Sequence, residues 1–281
     1  MFVLVNSRII SSRTLPSLES RVSESIIVNN KAVFSFYIVF FTISEIASVL
    51  APLWGILLHA VELVFMSIHC TLVRRINRDQ AKLVMAITPV PIIRIASLIS
   101  PVVQFTVLQW FLVISMVLFA SIFTSIRVLG ENLTDYGFKM PDRRHYPLEV
   151  FIVVCGFLFG FLENGILRPE PFVESLNLVS LLAPFIALYF GTGILEELLF
   201  RGVIQKHAID SFGKWSGIIF TTLVFTIFHM GWESIPDLFF VGTVGFIFSL
   251  VVVKTGSLVG VSFSHAVTNL SLFVLTPGFL G

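Results

Sequence analysis

The feature that most constrains this chain is a succession of apolar segments, each about as long as a lipid bilayer is thick. A helix needs about 20 mostly apolar residues to cross the hydrocarbon core. Only 12% of the residues are charged, against about 25% in a typical soluble domain, which excludes a water-soluble globule. The sequence therefore predicts an all-α, polytopic transmembrane bundle of about eight or nine membrane helices. The predicted segments are about 32–50, 53–73, 83–100, 102–126, 148–166, 178–200, 215–230, 237–253 and 257–276.

The distribution of basic residues predicts how these helices cross the membrane, because cytoplasmic loops carry an excess of Lys and Arg. Of the 18 basic residues, all except Arg94, Arg168 and Arg201 fall in the segments 1–31, 74–82, 127–147, 202–214 and 254–256. We therefore expect a multi-pass protein of the cell membrane with a cytoplasmic N-terminus. The net charge of +1 gives no long-range field for nucleic acid, so no nucleic-acid partner is expected.

Three regions follow from this pattern. Residues 1–31 form a polar, cytosolic lead-in, and 32–147 hold the N-terminal transmembrane helices with a polar loop at 127–147. Residues 148–281 form a C-terminal transmembrane domain, which concentrates the intramembrane polar residues. The sequence shows no internal repeat.

Two adjacent acids and an arginine lie in one apolar segment of the C-terminal domain. A charged side chain at the centre of a membrane helix costs about 2.5–3.5 kcal/mol, so such residues persist when they are paired or used. Glu197 and Arg201 are four residues apart and can pair on one helix face. Glu196 points about 100° away from Glu197 around the helix and is free to face a cavity.

Two histidines and an asparagine follow on later segments. Glu196 lies 17 residues before Gly213 and His229 lies 16 residues after it, so an antiparallel helix pair turning at Gly213 would bring both to similar depth. His265 and Asn269 share a helix face. Glutamate with two histidines can bind zinc. The same residues can instead supply a general base and hydrogen-bond donors for an oxyanion.

Three short motifs contain these residues: EELLFR at 196–201, FTIFH at 225–229 and HAVTN at 265–269. In order and spacing they resemble the EExxxR, FxxxH and HxxxN motifs of the CPBP family. This family comprises CAAX-protease and bacteriocin-processing intramembrane peptidases, including the type II CAAX prenyl endopeptidases. The resemblance covers about residues 178–275.

The resemblance implies a role for each motif residue. Glu196 would activate water, with His229 sharing that water, while His265 and Asn269 would polarise the scissile carbonyl and stabilise the oxyanion. The supporting residues would be Glu197 and Arg201. The family is called a metalloprotease family, which would make Glu196, His229 and His265 zinc ligands. A metal-free, glutamate-based mechanism also exists for it, and the sequence leaves both open.

The implied function is an intramembrane endopeptidase that cleaves a membrane-associated protein or peptide, whether or not this substrate is a prenylated CAAX-type protein. Its other partner would be membrane lipid. Two alternatives remain: a non-catalytic immunity or scaffold member of the same fold, and a proton- or cation-coupled transporter. A transporter would predict inverted repeats and discontinuous helices, and the sequence shows neither. Motifs of other peptidase classes, HExxH and GxSxG, are absent.

Other intramembrane polar residues receive simpler interpretations. Arg94 is expected to extend to the membrane interface. Glu163 and Asn164 are expected to be hydrated or to cap their helix. A further group could form a second metal or proton site, or more simply a hydrogen-bonded contact between the first two helices; it comprises Glu45, His59, Glu62 and His69.

Overall fold

The structure is a computed structural model that describes residues 29–99, 107–173 and 176–280. Within these ranges, nine helices are long and apolar enough to cross a membrane, and no strand occurs. This confirms the prediction of an all-α polytopic bundle. Most of the predicted N-terminal lead-in lies outside the described residues. The helices are α1 Asn30–Leu50, α2 Pro52–Val73, α3 Arg78–Ile99, α4 Val107–Leu129, α5 Tyr146–Leu167, α6 178–212, α7 Lys214–Ile227, α8 Ile235–Thr255 and α9 259–280.

Helix α3 begins at Arg78 rather than near 83, because a polar first turn is stabilised by its own cap. The Asn77 side chain accepts a hydrogen bond from the Gln80 backbone N–H at 3.1 Å. The helix is then divided at Thr88, where Pro89 starts its second half. Proline lacks the N–H that a continuous helix requires. The third span is therefore two short helices in line.

Helix α6 reaches Phe212, well beyond the predicted end near 200. At about 1.5 Å per residue it is roughly 50 Å long, more than the hydrocarbon core needs, so one end extends past it. The predicted cytoplasmic segment 202–214 is thus almost entirely helical, and its turn is confined to Gly213 at φ +81°. Two π-helical turns interrupt α6, at Tyr189–Ile194 and Leu198–Ile204. They flank Glu196 and Glu197, and such turns are frequent at functional sites.

Helix α9 is the most enclosed membrane span and packs between α5 and α6. Small residues permit the close approach, as is usual between membrane helices. A Cβ at Gly156 of α5 would lie 2.6 Å from the Ser264 carbonyl oxygen, and one at Gly193 of α6 would lie 2.6 Å from the Ser262 carbonyl oxygen. The Ser264 hydroxyl also donates to the Ile152 carbonyl oxygen at 2.7 Å. The helix that carries the HAVTN motif is therefore held on two sides.

The basic segments meet at one end of the bundle. Lys82 of α3 and Lys206 of α6 both donate to Glu131 in the loop after α4. Burial raises the pKa of Glu131, but the two ammonium groups outweigh this effect and lower it to about 2. In the same region the Asn30 side chain donates to the Ser211 carbonyl oxygen at 2.7 Å. Segments that the basic residues assign to one side of the membrane are thus adjacent in space.

We expect this end to face the cytoplasm, because basic loops remain there. In a background with Cys70 and Cys155 replaced by alanine, Met140→Cys should react with an impermeant maleimide only after the cells are opened. Glu170→Cys, beyond the other end of α5, should react in intact cells. Both positions are exposed. The reverse labelling pattern would show that the bundle has the opposite orientation in the membrane. It would not change the packing of the helices.

Candidate active site

One cavity of about 570 Å³ brings the three motifs together. Its wall includes Glu196 of α6, His229 beyond the end of α7, and His265 and Asn269 of α9. Helices α1, α3 and α4 of the N-terminal region complete the wall, with side chains that include Glu45, Arg94, Trp110, Ile114 and Leu118. Glu196 and Asn269 are 73 positions apart in sequence but line the same cavity. The catalytic roles of the four motif residues remain predictions.

The buried carboxylate of Glu197 joins α6 to α9. Arg201 Nη1 donates to Glu197 Oε1 at 2.9 Å, and both side chains are fully buried. His265 Nδ1 donates to the same oxygen at 2.7 Å. The Arg201 guanidinium also lies 4.0 Å from the centroid of the Phe225 ring. The i, i+4 pair expected from sequence therefore has a third member, His265, which sequence spacing did not reveal.

Glu196 has different surroundings from its neighbour. Its side chain is 25% exposed, whereas that of Glu197 is inaccessible. His265 Nε2 lies 3.9 Å from Glu196 Oε2. Because Glu197 occupies Nδ1 of the imidazole, Nε2 is the nitrogen that remains for the cavity. The cavity therefore presents one carboxylate and one oriented imidazole edge side by side.

His229 lies just outside a helix, since α7 ends at Ile227 rather than near 230. His229 Nδ1 donates to the Phe225 carbonyl oxygen at 2.8 Å, which leaves Nε2 for other partners. The Phe225 ring centroid lies 4.5 Å from that of His229 and 6.4 Å from that of His265. The aromatic ring thus contacts both imidazoles. The chain then turns at Met230–Trp232.

Asn269 is held by a residue that the sequence analysis missed. Its Nδ2 donates to Thr192 Oγ1 at 3.0 Å, and Thr192 Oγ1 donates to the Leu188 carbonyl oxygen at 2.7 Å. One amide hydrogen of Asn269 is thereby fixed, and the second remains for a ligand. Thr192 precedes Glu196 by four residues, so a search for polar groups on the Glu196 face would have found it.

The interpretation of Glu163 and Asn164 as residues hydrated at an exposed helix end is wrong. Both are buried, because α9 and the segment before α6 cover this end of α5. Asn164 Nδ2 donates to the Leu272 carbonyl oxygen at 2.9 Å, which ties α5 to α9. Glu163 lines the cavity and adds a further carboxylate to its wall.

The expectation that Arg94 extends to the membrane interface is also wrong. Its guanidinium pairs with Glu45 and donates to the Phe228 carbonyl oxygen at 2.8 Å. Glu45 Oε1 in turn lies 3.2 Å from His59 Nε2. Two side-chain hydrogen bonds also join α1 to α2, from Ser44 to Glu62 and between Tyr37 and His69. Of the two interpretations of this group, the structure shows the hydrogen-bonded contact between helices.

In the part of the chain that the structure describes, the side chains of the cavity are not arranged as a three-ligand metal site. Within the described ranges, no three or more His, Cys, Asp or Glu side chains are arranged to hold a metal ion. Two ligand atoms on a tetrahedral zinc, each at about 2.0–2.1 Å, lie about 3.3 Å apart. The 3.9 Å between His265 Nε2 and Glu196 Oε2 exceeds this separation.

Residues 178–271 match the family model described as "Type II CAAX prenyl endopeptidase Rce1-like". The match spans about one third of the chain and contains all of the EELLFR, FTIFH and HAVTN motifs. No curated protein and no solved structure was found to match the chain. This C-terminal region is therefore similar to the type II CAAX prenyl endopeptidases, in agreement with the resemblance of its three motifs.

Proposed function

We propose that this protein is an intramembrane endopeptidase in which Glu196 and His229 activate water, while His265 and Asn269 stabilise the oxyanion. The observation that carries the proposal is the convergence of these four side chains on one cavity. The proposed substrate is the C-terminal or juxtamembrane segment of a membrane-associated protein. A prenylated CAAX-type protein is the case that the family match favours.

The first step needs a base and a water molecule. The Glu196 carboxylate takes a proton from water, and the resulting hydroxide attacks the scissile carbonyl carbon. His229 Nε2 is the second group available to hold this water, since its Nδ1 is engaged by the Phe225 carbonyl oxygen. Hydrolysis requires water inside a membrane protein, and a cavity of about 570 Å³ gives it a place beside the carboxylate.

The second step needs donors for the negative charge that develops on the carbonyl oxygen. His265 takes part as an imidazolium: its Nδ1–H stays on Glu197, and its Nε2–H donates to the carbonyl oxygen beside the free amide hydrogen of Asn269, which Thr192 holds. Neither side chain must reorient during the reaction. The proton held by Glu196 then passes to the leaving nitrogen, and the C–N bond breaks. The products are a carboxylic acid on one fragment and an amine on the other, and the acid then gives its proton to the amine.

Glu196→Gln should abolish cleavage, because the amide keeps the shape of the side chain but cannot accept the proton. General base catalysis typically contributes about 100- to 10,000-fold. The test is cleavage of a fluorogenic prenylated CAAX peptide by purified protein, with the unprenylated peptide as a comparison. The control is Glu170→Gln, which removes an exposed carboxylate outside the cavity. A folded Glu196→Gln protein that cleaves at the unmutated rate would refute the proposed mechanism.

Arg201→Ala should lower stability as well as activity, because it leaves the fully buried Glu197 without its cationic partner. Removing one member of a buried ion pair costs about 3–5 kcal/mol. Thermal unfolding in detergent, measured beside peptide cleavage, separates this effect from that of Glu196→Gln, which should leave the melting temperature nearly unchanged. The double variant Glu197→Gln/Arg201→Met removes both charges and should recover part of the lost stability. An unaltered melting temperature for Arg201→Ala would contradict the buried pair.

Metal removal should leave activity unchanged if Glu196 and His229 activate water unaided. We expect purified active protein to contain zinc well below one equivalent, and prolonged dialysis against a strong chelator to preserve cleavage. Elemental analysis of the same samples guards against a metal that resists the chelator. One equivalent of zinc, with activity lost on removal and restored by zinc, would instead make Glu196, His229 and His265 the ligands.

A further inference from the structure

We propose that Arg94, held by Glu45, is a positioning residue for His229. The helices outside the family region would then form part of the catalytic apparatus. This inference rests on the role of His229 in the proposed function. It assigns a task to two charged residues of the N-terminal region that none of the three motifs contains.

The argument begins with the backbone at the end of α7. A helix leaves the carbonyl groups of its last turn without helical N–H partners. Here the Phe225 carbonyl oxygen accepts from His229 Nδ1, and the Phe228 carbonyl oxygen accepts from Arg94 Nη2 at 2.8 Å. Each of these two carbonyl groups thus accepts a hydrogen bond from a side chain. Of the two donors, Arg94 is the one that comes from the N-terminal region.

Arg94 acts on the peptide unit that carries His229. The Phe228 carbonyl and the His229 N–H belong to one planar peptide group. The His229 N–H donates to the Thr226 carbonyl oxygen at 3.0 Å, while Arg94 holds the opposite end of the plane. With both polar atoms tied, the direction of the His229 Cα–Cβ bond is restricted. Without Arg94 only one of these two bonds would remain.

Arg94 is itself held in a fixed orientation. Its Nε donates to Glu45 Oε1 at 2.6 Å, and its Nη2 donates to Glu45 Oε2, so the pair is bidentate. A bidentate pair fixes the orientation of the guanidinium plane in addition to pairing its charge. The guanidinium also lies 5.5 Å from the centroid of the Phe228 ring. The side chain is only 14% exposed and lines the same cavity as His229.

Glu45 is supported from the next helix. His59 Nε2 lies 3.2 Å from Glu45 Oε1, and His59 Nδ1 donates to Glu62 Oε2 at 2.7 Å. The Ser44 hydroxyl donates to the other oxygen of Glu62 at 2.6 Å. A continuous series of polar contacts therefore runs from α2 through α1 and α3 to the turn that carries His229.

The competing explanation is that these charges only hold helices together. A buried ion pair is weak support for stability, since apolar residues of similar size often pack as well. An apolar pair could not, however, donate to the Phe228 carbonyl oxygen. A variant that restores stability but not this hydrogen-bond donor therefore separates the two roles. Its activity should recover if the role of the pair is purely structural and stay low if Arg94 positions His229.

The test compares Arg94→Met, Arg94→Lys and the double variant Glu45→Gln/Arg94→Met in full-length protein. Arg94→Met leaves Glu45 unpaired and should lower both melting temperature and kcat. The double variant should regain melting temperature but keep a kcat about 100-fold below the unmutated value, with KM little changed, because a displaced catalytic group costs about that factor. In Arg94→Lys the ammonium group can reach either Glu45 or the Phe228 carbonyl oxygen but not both. Its kcat should therefore lie between that of the unmutated protein and that of Arg94→Met. A double variant with normal kcat would overturn the proposal.

Tyr37→Phe is the matched control. It removes a buried 2.7 Å hydrogen bond between Tyr37 and His69, which joins the same helices α1 and α2 but does not reach α7. Its kcat should equal that of the unmutated protein even if its melting temperature falls. A loss of kcat as large as that of the Arg94 variants would show that general loosening of α1 and α2 explains the effect, and would overturn the proposal.

A second measurement needs no substrate. The chain has six histidines, so ¹⁵N-histidine spectra are simple, and His229→Gln identifies the His229 signals. These signals should shift or broaden in both Arg94→Met variants and stay in place in Tyr37→Phe. Unchanged His229 signals in the double variant would refute the positioning role. Failure of the unmutated protein to cleave would refute the proposed function alone, because this readout does not depend on cleavage.

Discussion

The arrangement of the site depends on one constraint: a fully buried carboxylate in a membrane protein must find its partners within the protein. Lipid offers Glu197 no hydrogen bonds, so Arg201 and His265 provide them. The first partner lies one turn away on the same helix, but the second lies on α9, 68 residues later. Satisfying one charge therefore fixes two helices against each other. It also determines which nitrogen of His265 faces Glu196.

Irregular backbone surrounds this charge on both sides. The π-helical turns at Tyr189–Ile194 and Leu198–Ile204 rotate the residues between them relative to a regular helix. In membrane proteins such irregularity is tolerated where it is enclosed by protein or lines a cavity. Here it does both: Gly193 packs closely on α9, while Thr192 reaches Asn269. Close packing and polar contacts thus support a local geometry that a uniform helix would not give.

The sequence predicted the spans and the clustering of the motif residues better than the helix ends or the contacts between distant residues. Hydropathy identifies the residues that lie in the hydrocarbon core. It therefore did not detect the polar first turn of α3, which begins at Arg78, or the polar last turns of α6, which ends at Phe212. Spacing reveals partners within one helix, such as Glu197 and Arg201. It carries no information about Arg94 and Glu45, which are 49 residues apart, because their contact depends on how three helices pack. Arg94 therefore resembled an interfacial residue.

The same contact shows why the region that carries the motifs is not self-sufficient. Residues 178–271 contain all three motifs, yet the carbonyl group beside His229 is satisfied by Arg94, far outside that region. If residues 178–271 stood alone, this carbonyl would need another donor, and the cavity would lose the walls that α1, α3 and α4 provide. Within lipid, unsatisfied backbone polar groups cost several kcal/mol each. The N-terminal helices therefore enclose the motifs and also complete their hydrogen bonding, although none of the three motifs lies in that region.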